Sequence, residues 1–166
     1  MIPDKFGFSH LKNFFSLEEV NLLLNNLPKE DQWFQLHLID SSRKQSNVIK
    51  DSPSQASTFQ LIKSKLEKIN LTLTNPMFTM RIYSVGDYVD WHVDYKNNSQ
   101  DHLECIIVLK NTSDQKTLFK IDNEIMECHT EAGDILLVCH SGVEHSVSSP
   151  TVGERVTIKA TCHKIN

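Results

Sequence analysis

One segment concentrates side chains able to do chemistry: Tyr83-Ser84-Val85-Gly86-Asp87-Tyr88-Val89-Asp90-Trp91-His92-Val93-Asp94. Read as a strand, it alternates its side chains between two faces, so His92 and Asp94 point the same way with Val93 opposite. An imidazole and a carboxylate in that relation make two adjacent corners of an octahedral metal site. The third ligand then has to come from another strand. A histidine and an aspartate separated by one residue carry little weight alone, but a second ordered pattern follows. Gly133-Asp134-Ile135-Leu136-Leu137-Val138 reads as a turn and a buried strand, and Gly142-Val143-Glu144-His145 comes next. Ten residues after His145 stands Arg155, followed by Val156 and Thr157. His145 is the candidate third ligand, because it has both the upstream glycine and the downstream arginine. His140, at the end of the same apolar strand, competes for the role and reads better as a turn or supporting residue. Arg155 and Thr157 share a face by alternation. A guanidinium clamps a carboxylate through two parallel hydrogen bonds, and a threonine hydroxyl adds a donor.

Two histidines and one carboxylate on one face leave three coordination positions open, the arrangement found in non-haem iron(II) oxygenases. A closed four-ligand zinc site leaves none. Plainer readings stand beside these. Arg155 can be a strand arginine, and Arg81, on Tyr83's face, serves equally well to bind substrate or a core carboxylate. Trp91 reads as packing or as part of the site's mouth, and Asp90 as a group supporting His92. His102 and His129 read as surface or strand-end residues, and Gly86 and Gly133 as turn residues.

The elements that must position these groups divide the chain in two. Ser16-Leu17-Glu18-Glu19 is a capping box, which predicts a helix running to Leu27, the residue before Pro28. A second helix is expected from near Pro53, with Phe59, Ile62, Leu66 and Ile69 as its apolar stripe. Residues 29–52 read as a strand or hairpin over the core, with the polar stretch Ser41 to Ser52 as a mobile lid. From Met77 onward short strands are expected at Met77–Ser84, Tyr88–Val93, Leu103–Lys110, Thr117–Ile121, Glu124–His129, Ile135–Cys139, His145–Ser148 and Arg155–Cys162. Helices followed by many short strands predict an α+β, mainly β, fold: a sandwich or jelly roll with the helices on one outer face.

At the level of these motifs the chain resembles the iron(II)/2-oxoglutarate-dependent dioxygenases, and in particular their prolyl-hydroxylase-like branch. The resemblance covers about Phe78 to Cys162 and extends to the phrase Phe14-Phe15-Ser16-Leu17-Glu18-Glu19-Val20. It implies a single domain, 1–166, built as a distorted double-stranded β-helix, with helical support at about 1–75 and a jelly-roll core at about 76–163. It implies iron held by His92, Asp94 and His145, and 2-oxoglutarate held by Arg155, Thr157 and Tyr83. Fe(II), 2-oxoglutarate and O2, with ascorbate as a stimulant, are the implied cofactors. The implied reaction hydroxylates a C–H bond of a protein or peptide side chain, with proline the leading candidate. The alternatives are a free amino acid, a nucleic-acid base, and a silent cupin-like binding module. Three positions depart from the pattern. Val89 stands where protein prolyl hydroxylases often carry tyrosine, Ala160-Thr161-Cys162 where tryptophan is frequent, and Arg155 where collagen-type enzymes use lysine. These bear on the substrate rather than on the metal.

Composition agrees with one globular domain: 166 residues, 39% hydrophobic and 23% charged. A net charge of −4 argues against nucleic acid as a partner, leaving Arg43, Lys44 and Lys50 as a possible basic patch. Cys105, Cys128, Cys139 and Cys162 form no paired motif and are expected as buried thiols. With no signal-like or membrane-length apolar run, a cytoplasmic protein is expected.

Overall fold

The computed structural model describes residues 7–49, 55–74, 77–94, 102–139 and 143–165. In chain order its elements are β1 (Phe8–Leu11), α1 (Leu17–Asn25), β2 (Phe34–Leu38), β3 (Ser41–Ile49), α2 (Ala56–Glu67), β4 (Leu71–Leu73), β5 (Met77–Tyr83), β6 (Tyr88–His92), β7 (His102–Asn111), β8 (Thr117–Ile121), β9 (Glu124–Cys128), β10 (Ile135–Cys139), β11 (Glu144–Val147) and β12 (Arg155–Lys164). The strands join into one curled antiparallel sheet in the order β1-β10-β7-β12-β5-β3-β6-β11-β8-β9, with β2 on β3 and β4 on β12.

Both helices form for the reasons visible in their sequences. The Glu19 amide donates to Ser16 Oγ at 3.2 Å, and the Ser16 amide donates to Glu19 Oε2 at 2.8 Å, completing the capping box. Val20 and Leu23 of α1, and Phe59, Ile62 and Leu66 of α2, are buried together. Lys65 Nζ meets Glu19 Oε2 at 2.9 Å and ties the two helices. Pro53 lies outside the described residues.

Strand alternation assigns the two faces of the sheet. Phe78 and Met80 of β5, Leu103, Cys105, Ile107 and Leu109 of β7, and Val156, Ile158, Ala160 and Cys162 of β12 pack outward under the helices. The intervening residues face inward, and they are polar: Arg81 and Tyr83, Glu104, and Arg155, Thr157 and Lys159 line one cavity with Ile106 between them. A second apolar cluster closes the far end, where Phe8 stacks on Phe119 at 3.8 Å among Leu136, Val138 and Val143. No described helix is long and apolar enough to cross a membrane. None of the four cysteines is paired, three are buried, and burial pushes the Cys162 thiol up to about 12.

Three expectations change. The first half of the chain is not only a helical support, because β1 pairs with β10 and β3 sits between β5 and β6. The stretch from Ser41 is a sheet strand as far as Ile49 rather than a mobile lid. Its inward positions Ser41, Arg43 and Gln45 are polar because they follow the polar inner wall. Arg43 is thus buried at 8% exposure, and the expected surface patch with Lys44 does not form; Lys50 lies outside the described residues.

The turn before β10 depends on one glycine. Gly133 has φ +92°, and a Cβ there would stand 2.5 Å from the Phe15 carbonyl oxygen, which belongs to the backbone at the start of α1. Its amide donates to Val108 O at 2.8 Å and its carbonyl accepts from the Phe15 amide at 2.9 Å. Gly133→Ala is expected to cost about 2–4 kcal/mol, from left-handed strain plus displacement of that segment. Denaturant unfolding checks this, and a loss under about 0.5 kcal/mol contradicts it.

Candidate metal and co-substrate site

β6 and β11 run antiparallel with His92 directly opposite His145, their rings 4.3 Å apart and inclined by 50°. From that pair to Val89–Val147 the register slips by one residue, a bulge in β6 that re-aims the end of the strand. Each imidazole is held from behind. His92 Nδ1 lies 2.8 Å from the Asp90 carbonyl oxygen, and His145 Nδ1 lies 3.1 Å from that of Val143. A carbonyl only accepts, so Nδ1 carries the hydrogen and Nε2 keeps its lone pair. Asp90 therefore supports His92 through its backbone, while its side chain is exposed.

Asp94 is not on the strand, which ends at His92. It still reaches both histidines: Oδ1 is 3.8 Å from His92 Nε2, and Oδ2 is 3.6 Å from His145 Nε2. Ligand atoms of all three residues lie within 4.8 Å of one another. Donors each about 2.1 Å from one ion stand about 3.0 Å apart at right angles and about 4.2 Å at opposite corners. Both carboxylate–imidazole distances fall between those limits. Asp94 Oδ2 is buried and has no hydrogen-bond partner, so the donor set has an acceptor ready for a cation.

Electrostatics sets the same ionisation state that metal binding requires. Burial pushes the Asp94 carboxyl up, but Lys159, His145, Glu104 and His92 outweigh it and hold the group below the usual carboxylate range. Burial, then the charge of His92, pull His145 below its ordinary value. An ionised carboxylate beside a neutral imidazole is the ligating form of each.

Arg155 opens β12 deep in the same cavity at 2% exposure. Its Nη1 donates to Thr117 Oγ1 at 3.2 Å, whereas Nε and Nη2 are buried without partners. Guanidiniums are not left so without reason, because each unmet buried donor costs about 1–3 kcal/mol. Tyr83 stands directly opposite Arg155 in the sheet register and is 3% exposed. Thr157, one inward position along, also lines the cavity. The structure thus brings His92, Asp94, His145, Arg155, Tyr83 and Thr157 to one enclosed region, whereas His140 lies outside the described residues.

Sequence reading missed four residues here. Thr117 is the hydroxyl that holds Arg155. Lys159 pairs with Glu104 and lies 3.6 Å from Asp94 Oδ1. Arg43 lies on β3, next to β5. Alternation from Arg155 and Thr157 was the available signal for Lys159, and a lone charge in the apolar run Leu103–Leu109 was the signal for Glu104. Thr117 carries no comparable mark.

No family model matches the chain, and no curated protein matches its sequence. Solved structures do match its fold. A prolyl-4-hydroxylase from Pseudomonas putida superposes with TM-score 0.75 at 12% identity, over 98% of this chain and 94% of that one. A prolyl hydroxylase from Trichoplax adhaerens, bound to a peptide of the hypoxia-inducible factor oxygen degradation domain, gives TM-score 0.75 at 14% identity over 96% and 84%. HygX from Streptomyces hygroscopicus, with nickel and 2-oxoglutarate bound, gives 0.73 at 11% identity over 97% and 84%. The chain has the fold of these enzymes, a double-stranded β-helix flanked by helices.

Proposed function

We propose that the protein is an iron(II)- and 2-oxoglutarate-dependent oxygenase that hydroxylates a C–H bond. One observation carries the reading: three metal-ligating side chains converge in the cavity where a fully buried arginine keeps two donors unpartnered. His92, Asp94 and His145 hold the ion. Arg155, kept in place by Thr117 and facing Tyr83, holds the distal carboxylate of the oxoacid, and Thr157 adds a hydroxyl on the same wall. The ion, once bound, supplies oxygen activation: one O2 and one 2-oxoglutarate give succinate and carbon dioxide, and one oxygen atom enters the substrate C–H bond. The chain's own part is positioning. The carbonyls of Asp90 and Val143 fix both imidazoles, and Val89, Ile106 and Val147 line the cavity with apolar surface that displaces water.

The solved neighbours support a peptidyl proline as substrate, since two of them are prolyl hydroxylases and one holds a peptide. The cavity's own charge favours a second reading, a small carboxylic acid such as a free amino acid. The inward burial of Arg43 removes the basic patch on which a nucleic-acid substrate would rest. A silent binding module has no use for the metal triad and the arginine together.

Calorimetric titration of 2-oxoglutarate, anaerobically, into protein with and without Mn(II) tests the assignment. Binding is expected to require the metal. Equal binding in metal-free protein contradicts a shared site.

A further inference from the structure

The inner wall holds more positive charge than the co-substrate can neutralise. Arg81 lines the cavity with His92, Arg155 and Lys159, and its Nε is buried without a partner. In the register of β5 it lies between Thr157 of β12 and Gln45 of β3. Arg43 takes the next inward position of β3, beside Tyr83. Its Nε donates to Gln45 Oε1 at 3.2 Å, and neither Arg43 nor Arg81 has a carboxylate within salt-bridge distance among the described residues. Asp87, the nearby buried acid, is engaged by Ser42 Oγ at 2.8 Å and the Ser84 amide at 2.9 Å.

Arg81, Arg155 and Lys159 line the cavity and Arg43 stands beside Arg81, four cations against three buried or half-buried carboxylates, Asp94, Glu104 and, next to Arg43, Asp87. A divalent ion and a dianionic oxoacid cancel each other, which leaves the filled site with a surplus of one positive charge. The chain as a whole is acidic at −4, so this surplus is local. A buried guanidinium donor without a partner, as at Arg81 Nε, opposes folding, and such arrangements concentrate at sites that receive a ligand.

We infer that Arg81 and Arg43 form a second anion subsite beside the co-substrate clamp, and that the substrate presents a carboxylate to it. The planar guanidinium fork suits a carboxylate through parallel hydrogen bonds. Val89, Ile106 and Val147 line the same cavity and offer apolar room for a short carbon skeleton. The substrate role rests on the oxygenase reading; the anion subsite does not.

The test uses the full chain, metal-free and loaded with Mn(II) and 2-oxoglutarate. The probes are free L-amino acids, their C-terminal amides, and a prolyl peptide whose only carboxylate is its C-terminus. At least one acid or the peptide is expected to bind tenfold or more tightly than its amide. Binding by the free acid assigns a small-molecule source and binding by the peptide assigns a chain terminus; either supports the subsite. Arg81→Met is expected to abolish the preference, and Arg81→Lys to restore part of it. No acid-over-amide preference in wild type overturns the inference. So does Arg81→Met weakening 2-oxoglutarate as much as Arg155→Met, which would make Arg81 part of the clamp. Because Arg81 has no ion-pair partner among the described residues, Arg81→Met is expected to melt at or above the wild-type temperature; a fall of more than about 5 °C marks a structural arginine and also overturns it. Loss of metal-dependent 2-oxoglutarate binding in wild type defeats the oxygenase reading instead, and it is read in the same titration before any acid is added.

Discussion

Arg155→Met is expected to raise the 2-oxoglutarate dissociation constant by about two to three orders of magnitude. The arginine is 2% exposed, and Nε and Nη2 are its two donors without partners. Two charge-assisted hydrogen bonds at about 1.5–3 kcal/mol each account for a loss of that size. The same substitution is expected to leave the melting temperature of the unliganded protein unchanged or higher. Methionine fills much of the same volume and removes two unmet buried donors. This pairing of effects separates a ligand-binding arginine from a structural one, whose loss lowers stability and leaves co-substrate affinity alone. Thr117→Val, which removes only the 3.2 Å contact to Nη1, is expected to cost about tenfold in the same affinity by loosening the clamp. Calorimetry and thermal unfolding of the two variants read both effects.

His145→Ala and Asp94→Asn are each expected to weaken divalent metal binding by about a thousandfold or more. Outer groups that merely orient a ligand are worth about ten- to a hundredfold, and these two residues supply donor atoms themselves. Asp94→Asn keeps shape but removes the charge that Lys159, His145 and His92 surround. Its effect therefore measures the carboxylate rather than the packing. Competition against a metallochromic indicator reads the affinities. Retention within tenfold of wild type in both variants would move the metal site elsewhere.

Much of this site was legible because strand alternation acts on a short, regular stretch. His145, Arg155 and Thr157 fall on inward positions of strands whose other face is plainly apolar, and the strands expected from Met77 onward form within a residue or two of their expected limits. What stayed hidden follows from the same physics. Segments 8–11 and 71–73 are too short for periodicity to declare itself. The polar stretch from Ser41 suggests a mobile lid rather than β3 because a strand whose buried face lines a charged cavity shows no apolar alternation. Asp94 shares the site with His92 although it lies two residues past the end of β6, outside the paired strand. Thr117 and Lys159 matter through pairings across the sheet, with Arg155 and Glu104, at sequence separations that no local pattern reports.

The most direct test of the central claim is succinate formation by anaerobically iron-loaded protein on admission of oxygen, with 2-oxoglutarate present. Slow, substrate-independent succinate production is expected in wild type. It should be absent in His92→Ala, and restored in Arg155→Ala only at high oxoacid concentration. No succinate from well-folded wild-type protein carrying iron and 2-oxoglutarate would contradict the oxygenase account and leave a non-catalytic binding module in its place.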